Sequence, residues 1–439
     1  MFRLLSLTNN LLKKFFLNFL LVGFLIFIIL ISYLYVNFLI LTSPLTYTTT
    51  GYNVRLNFLG YSLFITGVLV GFFIFFLIFI IIFFKKFLTL FIFFFFFILI
   101  WFFINEQSYV NLFFLYELFL LPSFYLVYMI SPNRRSIPIS IYFLTWTQFG
   151  SIFIFLAVIY LYITTQSTML TYPKNINFFV LFALLFVGFG IKIPMWPFYY
   201  WLTKTHVEAS SFFSIYLSGF LVKTAVYLFN HFYSFFYNIN LINFFFVIVL
   251  IGVIDSSIKM WHQVDLKKLI AYTTVQEMNI LFIPLLWNNE LTEIFVSLFI
   301  IIHCLLSSLF FFIIDVLTKR FGTRVTSQIT GLIHIMPIFT TFIFLSWVLF
   351  CGLPFTSKFY IEIVIFNLLA HYNINIFILI IFVANVLGII GFSKNIFNVL
   401  FGSPIYKNIV YDLTKREVFI FVFCISLLIF ITYMSNLIF

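Results

Sequence analysis

The chain contains little charge and few cysteines for its length. Of its 439 residues only 8% are charged whereas 64% are hydrophobic, and this balance excludes a soluble globular protein. The three cysteines, Cys304, Cys351 and Cys424, are far apart and form no Cys-x-x-Cys pair, so neither a zinc nor an iron–sulfur site is supported. A glycine-rich phosphate-binding loop is also missing. We therefore predict no cofactor on this chain.

The sequence supplies apolar segments almost from end to end. A helix needs about 20 apolar residues to cross the hydrocarbon core of a bilayer. Apolar runs and polar breaks predict thirteen crossings, at 15–41, 58–84, 87–105, 108–130, 138–163, 176–207, 211–233, 239–260, 265–287, 292–316, 332–371, 374–393 and 417–437. The predicted fold is an all-α polytopic membrane protein with about 13 transmembrane helices.

Two of these segments are too long for one unbroken helix. Segment 176–207 contains Pro194 near its middle, and segment 332–371 contains Pro354. Proline removes a backbone donor and clashes with the preceding turn, so each segment is predicted to be a broken helix. Paired broken helices in the two halves of a transporter-like chain are typical of inverted repeats.

The breaks also predict how the chain is organised. Four regions are expected: N-terminal transmembrane helices at 1–107, a first transporter-like repeat at 108–233 with its break near 194, a second repeat at 239–393 with its break near 354, and a C-terminal loop with the last helix at 394–439.

The basic residues are segregated by this topology. Eighteen of the 23 lysines and arginines fall on the side of the N-terminus, and only Arg55 and Lys174 fall on the opposite side. Lys192, Lys223 and Lys358 remain inside predicted spans. Because basic loops stay on the matrix or cytoplasmic side, the N-terminus is expected there and the C-terminus outside. The net charge of +11 is therefore explained by topology, and nucleic-acid binding is not predicted.

Four ionisable side chains lie deep in predicted spans and are the candidate functional residues. They are Glu117, Lys192, Lys223 and Glu362. A charge inside a bilayer is costly, so such residues commonly mark ion or proton pathways. Lys192 and Glu362 lie beside the two helix breaks, where freed backbone groups are tolerated if they line a hydrated cavity. Burial disfavours the charged forms of lysine and glutamate, so both can exchange protons near neutral pH. The pattern predicts a proton path.

Five sequence blocks extend this interpretation. They are YELFLLPSFYLVY (116–128), GIKIPMWPFYYWLTKTHVEA (190–209), LVKTAVY (221–227), QVDLKKLIAYTTVQEM (263–278) and LPFTSKFYIEIVIF (353–366). The blocks resemble the chain 4 family of mitochondrial NADH:ubiquinone oxidoreductase, respiratory complex I. The most specific parts are WLTKTHVEA and DLKKLIAYTTV. Glu362 stands where the related antiporter-like chains of the same enzyme usually carry lysine, which favours the chain 4 family.

The resemblance implies a role for each buried group. Glu117 and Lys192 would form an interacting pair that tunes the proton affinity of Lys192, the central proton carrier. Lys223 would relay protons along the membrane midplane. Glu362 would be the terminal carboxylate from which the proton leaves, and His303 would lie between the last lysine and that glutamate.

The chain departs from the family pattern at several positions. Glu277 replaces a midplane histidine, and a buried glutamate there could carry a proton or serve only packing. Lys358 precedes Glu362 by four residues, so the two side chains could pair on one helical face. Ser210 stands where the family usually has proline. Three spans precede the Glu117 helix where the family pattern implies four.

The same residues also allow structural interpretations. Glu117 and Lys192 could be a static ion pair that only fixes helix packing. His303 could be a hydrogen-bonded packing residue. Lys204 and His206 are expected near the basic-side interface, where a solvated helix face and a role in proton uptake both fit.

The function implied by the resemblance is that of a proton-translocating membrane-arm subunit of complex I. The chain would be an enzyme subunit, part of the proton-pumping NADH:ubiquinone reductase, without a redox centre of its own. NADH, FMN, iron–sulfur clusters and ubiquinone are expected in other subunits. The implied partners are other membrane-arm subunits and phospholipids.

The expected location is the mitochondrial inner membrane, with the N-terminus in the matrix and the C-terminus in the intermembrane space. The 73 phenylalanines suggest an AT-rich coding bias of the kind found in organelle genomes. Two alternatives remain open: a subunit of a multi-subunit cation/proton antiporter of the related type, and a purely structural membrane subunit. The intramembrane charges fit the antiporter as well, and the departures at Glu277 and Lys358 keep the structural alternative open.

Overall fold

Helices make up the regular structure of the chain wherever it is described. The computed structural model describes residues 60, 62–63, 65–67, 95–96, 98–100, 102–106, 108–130, 136–166, 178–233, 239–286, 290–371, 375–404 and 411–438. Within these ranges no β-strand occurs. An isolated antiparallel β-bridge joins Asp265 and Val325.

Fifteen α-helices cover most of the chain from residue 109 onward. They are α1 (Tyr109–Leu118), α2 (Leu120–Ile130), α3 (Ser136–Thr165), α4 (Phe178–Lys192), α5 (Tyr200–Glu208), α6 (Ser211–Tyr216), α7 (Val222–Tyr233), α8 (Ile239–Trp261), α9 (Leu266–Leu285), α10 (Glu290–Phe321), α11 (Leu332–Ile335), α12 (Pro337–Phe350), α13 (Ser357–His371), α14 (Asn375–Leu400) and α15 (Lys415–Ile438).

The predicted all-α polytopic fold is confirmed. Every predicted span from 108 onward coincides with one helix or with consecutive helices. Seven stretches of the described residues are long and apolar enough to cross a bilayer. The predicted span 15–41 lies outside the described residues, and most of 58–84 and 87–105 does too. The number of crossings in the whole chain and the division into inverted repeats therefore stay predictions.

Both predicted helix breaks are present. Helix α4 ends at Lys192 and α5 begins at Tyr200, with Pro194 in the segment between them. Helix α12 ends one residue before Cys351, and Gly352 follows with a φ of 65°. This left-handed conformation is available to glycine without a Cβ clash and ends a helix in the usual way. Each break therefore follows from the residue types at its centre.

A third irregularity was not predicted. Segment 211–233 reads as one regular apolar helix, but residues Leu217–Leu221 form a π turn between α6 and α7. Such turns widen the helix by one residue and often occur at functional sites. Lys223 follows this turn directly, on the first turn of α7.

Helices α9 and α10 form the interior of the bundle. Almost every residue of α9 is buried, and α10 is buried along most of its length. The two helices pack on each other; α9 also contacts α5 and α8, and α10 contacts α6 and α13. Polar residues on α9 and α10 are therefore surrounded by protein instead of lipid.

Helices α3 and α4 approach closely at two glycines. A Cβ added at Gly188 would lie 2.6 Å from Cγ1 of Ile154 and 3.1 Å from the carbonyl oxygen of Gly150. Small residues allow transmembrane helices to pack at short range. Ser151 follows Gly150, and Lys192 lies one turn after Gly188. The close approach therefore brings the side chains of Ser151 and Lys192 together.

We expect Gly188→Val to destabilise the assembled protein by about 1–3 kcal/mol, because its side chain overpacks this contact. The same change should weaken the contact between Ser151 and Lys192. Thermal unfolding in detergent measures the loss of stability. Ala183→Val is the matched control, since Ala183 lies on α4 but is exposed to lipid. Equal melting temperatures for the two variants would contradict the close-packing argument.

Charged residues fasten the loops at one end of the bundle. Arg320, near the end of α10, holds both carboxylate oxygens of Glu417 on α15 at 3.1 and 2.6 Å. The Asp412 carboxylate accepts the backbone N–H groups of Ile338 and Phe339 at the start of α12. These contacts fix the ends of α10, α12 and α15 relative to one another, and with them the helix break that follows α12.

Candidate functional site

The first polar cluster surrounds the Lys192 ammonium. Lys192 ends α4, and its side chain is fully buried. Its Nζ lies 3.3 Å from Oε1 of Glu117 on α1 and donates to Oγ of Ser151 on α3 at 2.6 Å. The Glu117 carboxylate also accepts from Nε2 of Gln148 at 3.2 Å and is 20% exposed. The two predicted partners are therefore in contact, and three helices meet at the pair.

An aromatic ring covers another side of this ammonium. The Lys192 Nζ lies 4.4 Å from the ring centroid of Tyr116, a distance at which a ring face attracts a cation. The hydroxyl of Tyr116 is buried without a hydrogen-bond partner among the described residues, and so is that of Tyr216 at the end of α6. Buried hydroxyls normally bond to protein or ordered water. These two hydroxyls are therefore polar points in an apolar interior, one beside Lys192 and one beside the π turn.

The second cluster begins at Lys223, which is completely buried. Its Nζ donates to the backbone carbonyl of Ser218 inside the π turn, and it lies 2.6 Å from Nδ1 of His303 on α10. A charged lysine can only donate, so in that state Nδ1 accepts and the ring proton is on Nε2. The imidazole thus faces Lys223 with one nitrogen and leaves the other for a further group.

That further group is Glu277 on α9. His303 Nε2 lies 4.0 Å from Oε2 of Glu277. The second oxygen, Oε1, accepts a hydrogen bond from Lys358 Nζ on α13 at 2.7 Å. All three side chains are at most 5% exposed. Four ionisable groups from four helices, running from Lys223 to Lys358, therefore form one buried series.

Glu362 lies beside the second helix break. Its Oε1 accepts from Nδ2 of Asn385 on α14 at 3.0 Å, and its Oε2 lies so close to Gly352 that a Cβ there would be 3.3 Å away. Lys358 could pair with Glu362 by its spacing on the helix, but its amine forms an ion pair with Glu277 instead. Glu277 lies on the buried helix α9, which packs close to Lys358 on α13.

Lys204 and His206 are separated by the structure. Lys204 is exposed, with its Nζ 4.4 Å from the ring centroid of Tyr142, which fits the solvated-face interpretation. His206 is fully buried, and its ring stacks on Phe311 at 4.9 Å. Neither ring nitrogen of His206 has a hydrogen-bond partner in the part of the chain that the structure describes. A solvated face is therefore wrong for His206.

Some residues of the site were missed by the sequence reasoning. They are Gln148, Ser151, Asn385 and the carbonyl of Ser218. Gln148 and Ser151 lie three residues apart in a mostly apolar helix, which is a signal of a shared polar face. Asn385 is likewise an amide surrounded by apolar residues in its helix. The carbonyl of Ser218 has no such signal, since the π turn that exposes it is absent from the sequence pattern.

Metal-binding clusters of histidine, cysteine, aspartate and glutamate do not occur among the described residues. Cys304, Cys351 and Cys424 are buried and free.

A comparison with protein families identifies this arrangement. The family model described as NADH:quinone oxidoreductase/Mrp antiporter, transmembrane region, matches residues 107–388, which is more than half of the chain. The chain belongs to this family. It is a multi-pass membrane protein of the antiporter-like type, and the matched range contains every buried charge described above.

Curated relatives narrow the comparison within the family. A protein of Paramecium tetraurelia named NADH-ubiquinone oxidoreductase chain 4 is 41% identical over 349 residues, which cover 76% of this chain and 72% of the relative. This similarity confirms the resemblance to the chain 4 family that the five sequence blocks indicated.

Solved structures share the fold. A chain of respiratory complex I from Thermus thermophilus with bound aureothin has a TM-score of 0.70 at 14% identity, covering 87% of this chain and 85% of that chain. A chain of the Mrp complex from a Dietzia species also has a TM-score of 0.70 at 14% identity, covering 76% of this chain and 73% of that chain. At such low identity the likeness concerns the architecture alone.

Proposed function

We propose that this chain is a proton-translocating membrane-arm subunit of respiratory complex I, and that its buried charges carry the protons. The observation that supports this most is the buried series from Lys223 through His303 and Glu277 to Lys358. Each member can gain or lose a proton, and neighbours lie within 4.0 Å of each other. A role in helix packing alone would need only isolated ion pairs. This series instead joins ionisable side chains from four helices.

Lys192 and Glu117 act as the switch of this path. A neighbouring carboxylate favours the charged lysine, so moving Glu117 away from Lys192 favours release of the lysine proton. The partial exposure of Glu117 gives its carboxylate room to move, whereas Lys192 is held by Ser151 and the ring of Tyr116. The unpartnered hydroxyls of Tyr116 and Tyr216 support ordered water that passes the proton on toward Lys223.

His303 passes the proton across its ring. The imidazole accepts at Nδ1 from the Lys223 ammonium and releases from Nε2 toward Glu277. The carbonyl of Ser218 favours the charged form of Lys223 between transfers. Glu362, held by Asn385 beside the helix break, is the terminal carboxylate from which the proton leaves.

His206 is the candidate for proton uptake. It is fully buried, and neither of its ring nitrogens has a hydrogen-bond partner among the described residues. Lys267 lies in the first turn of α9 and donates to the carbonyl of Ala209. His206 thus stands between the loop end of the bundle and the relay series.

We also propose that the chain lies in the mitochondrial inner membrane with its N-terminus in the matrix and its C-terminus in the intermembrane space. The basic residues Lys267 and Arg324 support a matrix face at their end of the bundle, where they donate to the carbonyls of Ala209 and Val207. Arg324 pairs with Asp265 at 2.7 Å and donates to the carbonyl of Val207.

A cation/proton antiporter subunit is the second candidate function, because the family description and the Mrp fold both include that type. The curated relative named chain 4 favours complex I. Intact complexes separated from gently solubilised native membranes distinguish the two. We expect mass spectrometry to find this chain in the band that oxidises NADH. Recovery in a large complex without NADH dehydrogenase activity would favour the antiporter.

A further inference from the structure

Lys358 is the last member of the buried series. It lies in the first turn of α13, immediately after the second helix break. Its Nζ is 2.7 Å from Oε1 of Glu277 and 3.9 Å from the ring centroid of Phe350. A carboxylate thus faces the amine on one side and an aromatic ring on another.

Lys358 is also adjacent to the terminal carboxylate. Glu362 follows it by one turn of α13, so the two side chains leave the helix on neighbouring points of one face. Lysine has a flexible four-carbon stem, which allows its amine to exchange one carboxylate for the other. Lys358 is therefore placed to bridge the gap between Glu277 and Glu362.

We propose that Lys358 is a relay residue that carries the proton from Glu277 to Glu362. This inference rests on the proposed function of the chain in proton transfer. In the first step the protonated carboxyl of Glu277 gives its proton to the neutral Lys358 amine, which leaves a carboxylate and an ammonium. In the second step the ammonium gives that proton to the Glu362 carboxylate, which becomes the neutral acid.

The contacts of Lys358 favour transfer over static pairing. An ammonium has three donor hydrogens, and the one hydrogen bond of Lys358 among the described residues goes to Glu277. A static buried ion pair is stable only when its remaining donors and acceptors are also satisfied. The free donor capacity of Lys358 fits an amine that changes partners.

The pairing also offsets the cost of burying Glu277. A carboxylate at position 277 buries a negative charge in α9, which is costly by itself. Lys358 supplies the compensating positive charge from α13. The acid and the lysine therefore form one buried pair within the series.

Lys358→Arg tests whether Lys358 must release its proton. Arginine keeps the positive charge and the pairing with Glu277 but stays protonated. In the intact complex reconstituted into liposomes, we expect NADH-driven proton translocation per assembled complex to fall at least about tenfold, a loss within the range for removing a positioned acid–base group. Translocation at the original rate in an assembled Lys358→Arg complex would overturn the proposal.

A second variant decides the matter if arginine does not fit against Phe350. Glu277→Gln combined with Lys358→Met removes both charges and leaves neither unpaired. We expect this complex to assemble and to have lost proton translocation. If it translocates protons normally, the pair is structural and the proposal fails.

Lys192→Met, measured in parallel, separates this inference from the proposed function. Loss of translocation in Lys192→Met but not in Lys358→Arg would overturn only the role of Lys358. Normal translocation in Lys192→Met would overturn the proposed function itself.

Discussion

Replacing Lys192 with methionine is expected to lower proton translocation per assembled complex by about 100-fold or more, the scale of losing a positioned proton carrier. Methionine keeps an unbranched apolar side chain of similar length but cannot hold a proton. The Lys192 amine contacts Glu117, Ser151 and the ring of Tyr116. Its removal therefore interrupts the proposed proton path at the point where three helices meet. The rate of NADH oxidation and the change of pH inside the liposomes are recorded together.

A double variant separates proton transfer from static pairing at this site. Lys192→Met alone leaves the Glu117 carboxylate without its cation, and that loss could disturb packing by itself. Combining it with Glu117→Gln removes both charges while an amide at position 117 can still bond to Gln148. A carrier role predicts that the double variant assembles and remains inactive. Recovery of proton translocation in the double variant would favour the static-pair interpretation.

The control for the Lys192 experiment is Lys394→Met. Lys394 is exposed on α14, with its Nζ 5.5 Å from the ring centroid of Trp261, and lies outside the polar series. This substitution makes the same chemical change in the same chain. We expect proton translocation and assembly of the Lys394→Met complex to equal those of the original protein. A comparable loss in both variants would point to a general effect of removing positive charge.

The sequence predicts the helices and their breaks well because the physical causes are local. Pro194 and Gly352 end helices through their own backbone chemistry, and apolar runs of membrane length define the spans around them. Lys192 and Glu362 could be located beside these breaks for the same reason. Residue type and spacing were sufficient, and no knowledge of tertiary contacts was needed.

The partners of the buried charges depend on which helices pack together, and this is not local. The helical spacing of Lys358 and Glu362 allows a pair within α13, but α9 packs close enough to offer Glu277 at 2.7 Å. Ser151 reaches Lys192 because Gly150 and Gly188 let α3 and α4 approach. Such contacts require the packed bundle, so the sequence could identify candidates but could not pair all of them.

The environment of Lys223 shows this dependence most clearly. A π turn cannot be predicted from an apolar segment such as 211–233, yet it places the carbonyl of Ser218 against the amine. The same amine contacts His303, 80 positions later in the chain. One contact is set by a local backbone irregularity and the other by packing of the π turn against α10, and the lysine needs both.

Replacing Lys223 with glutamine is therefore expected to abolish proton translocation while leaving the fold intact. Glutamine retains a donor that can bond to the carbonyl of Ser218 or to Nδ1 of His303, but its amide does not carry a proton. The loss should again be about 100-fold or more, whereas Lys223→Met should also cost about 1–3 kcal/mol of stability by leaving these acceptors unpaired. Proton translocation in liposomes and thermal unfolding in detergent are measured for both variants, with Lys394→Gln as the matched control. A Lys223→Gln complex that translocates protons at the original rate would make Lys223 a packing residue, and the path would then have to bypass His303.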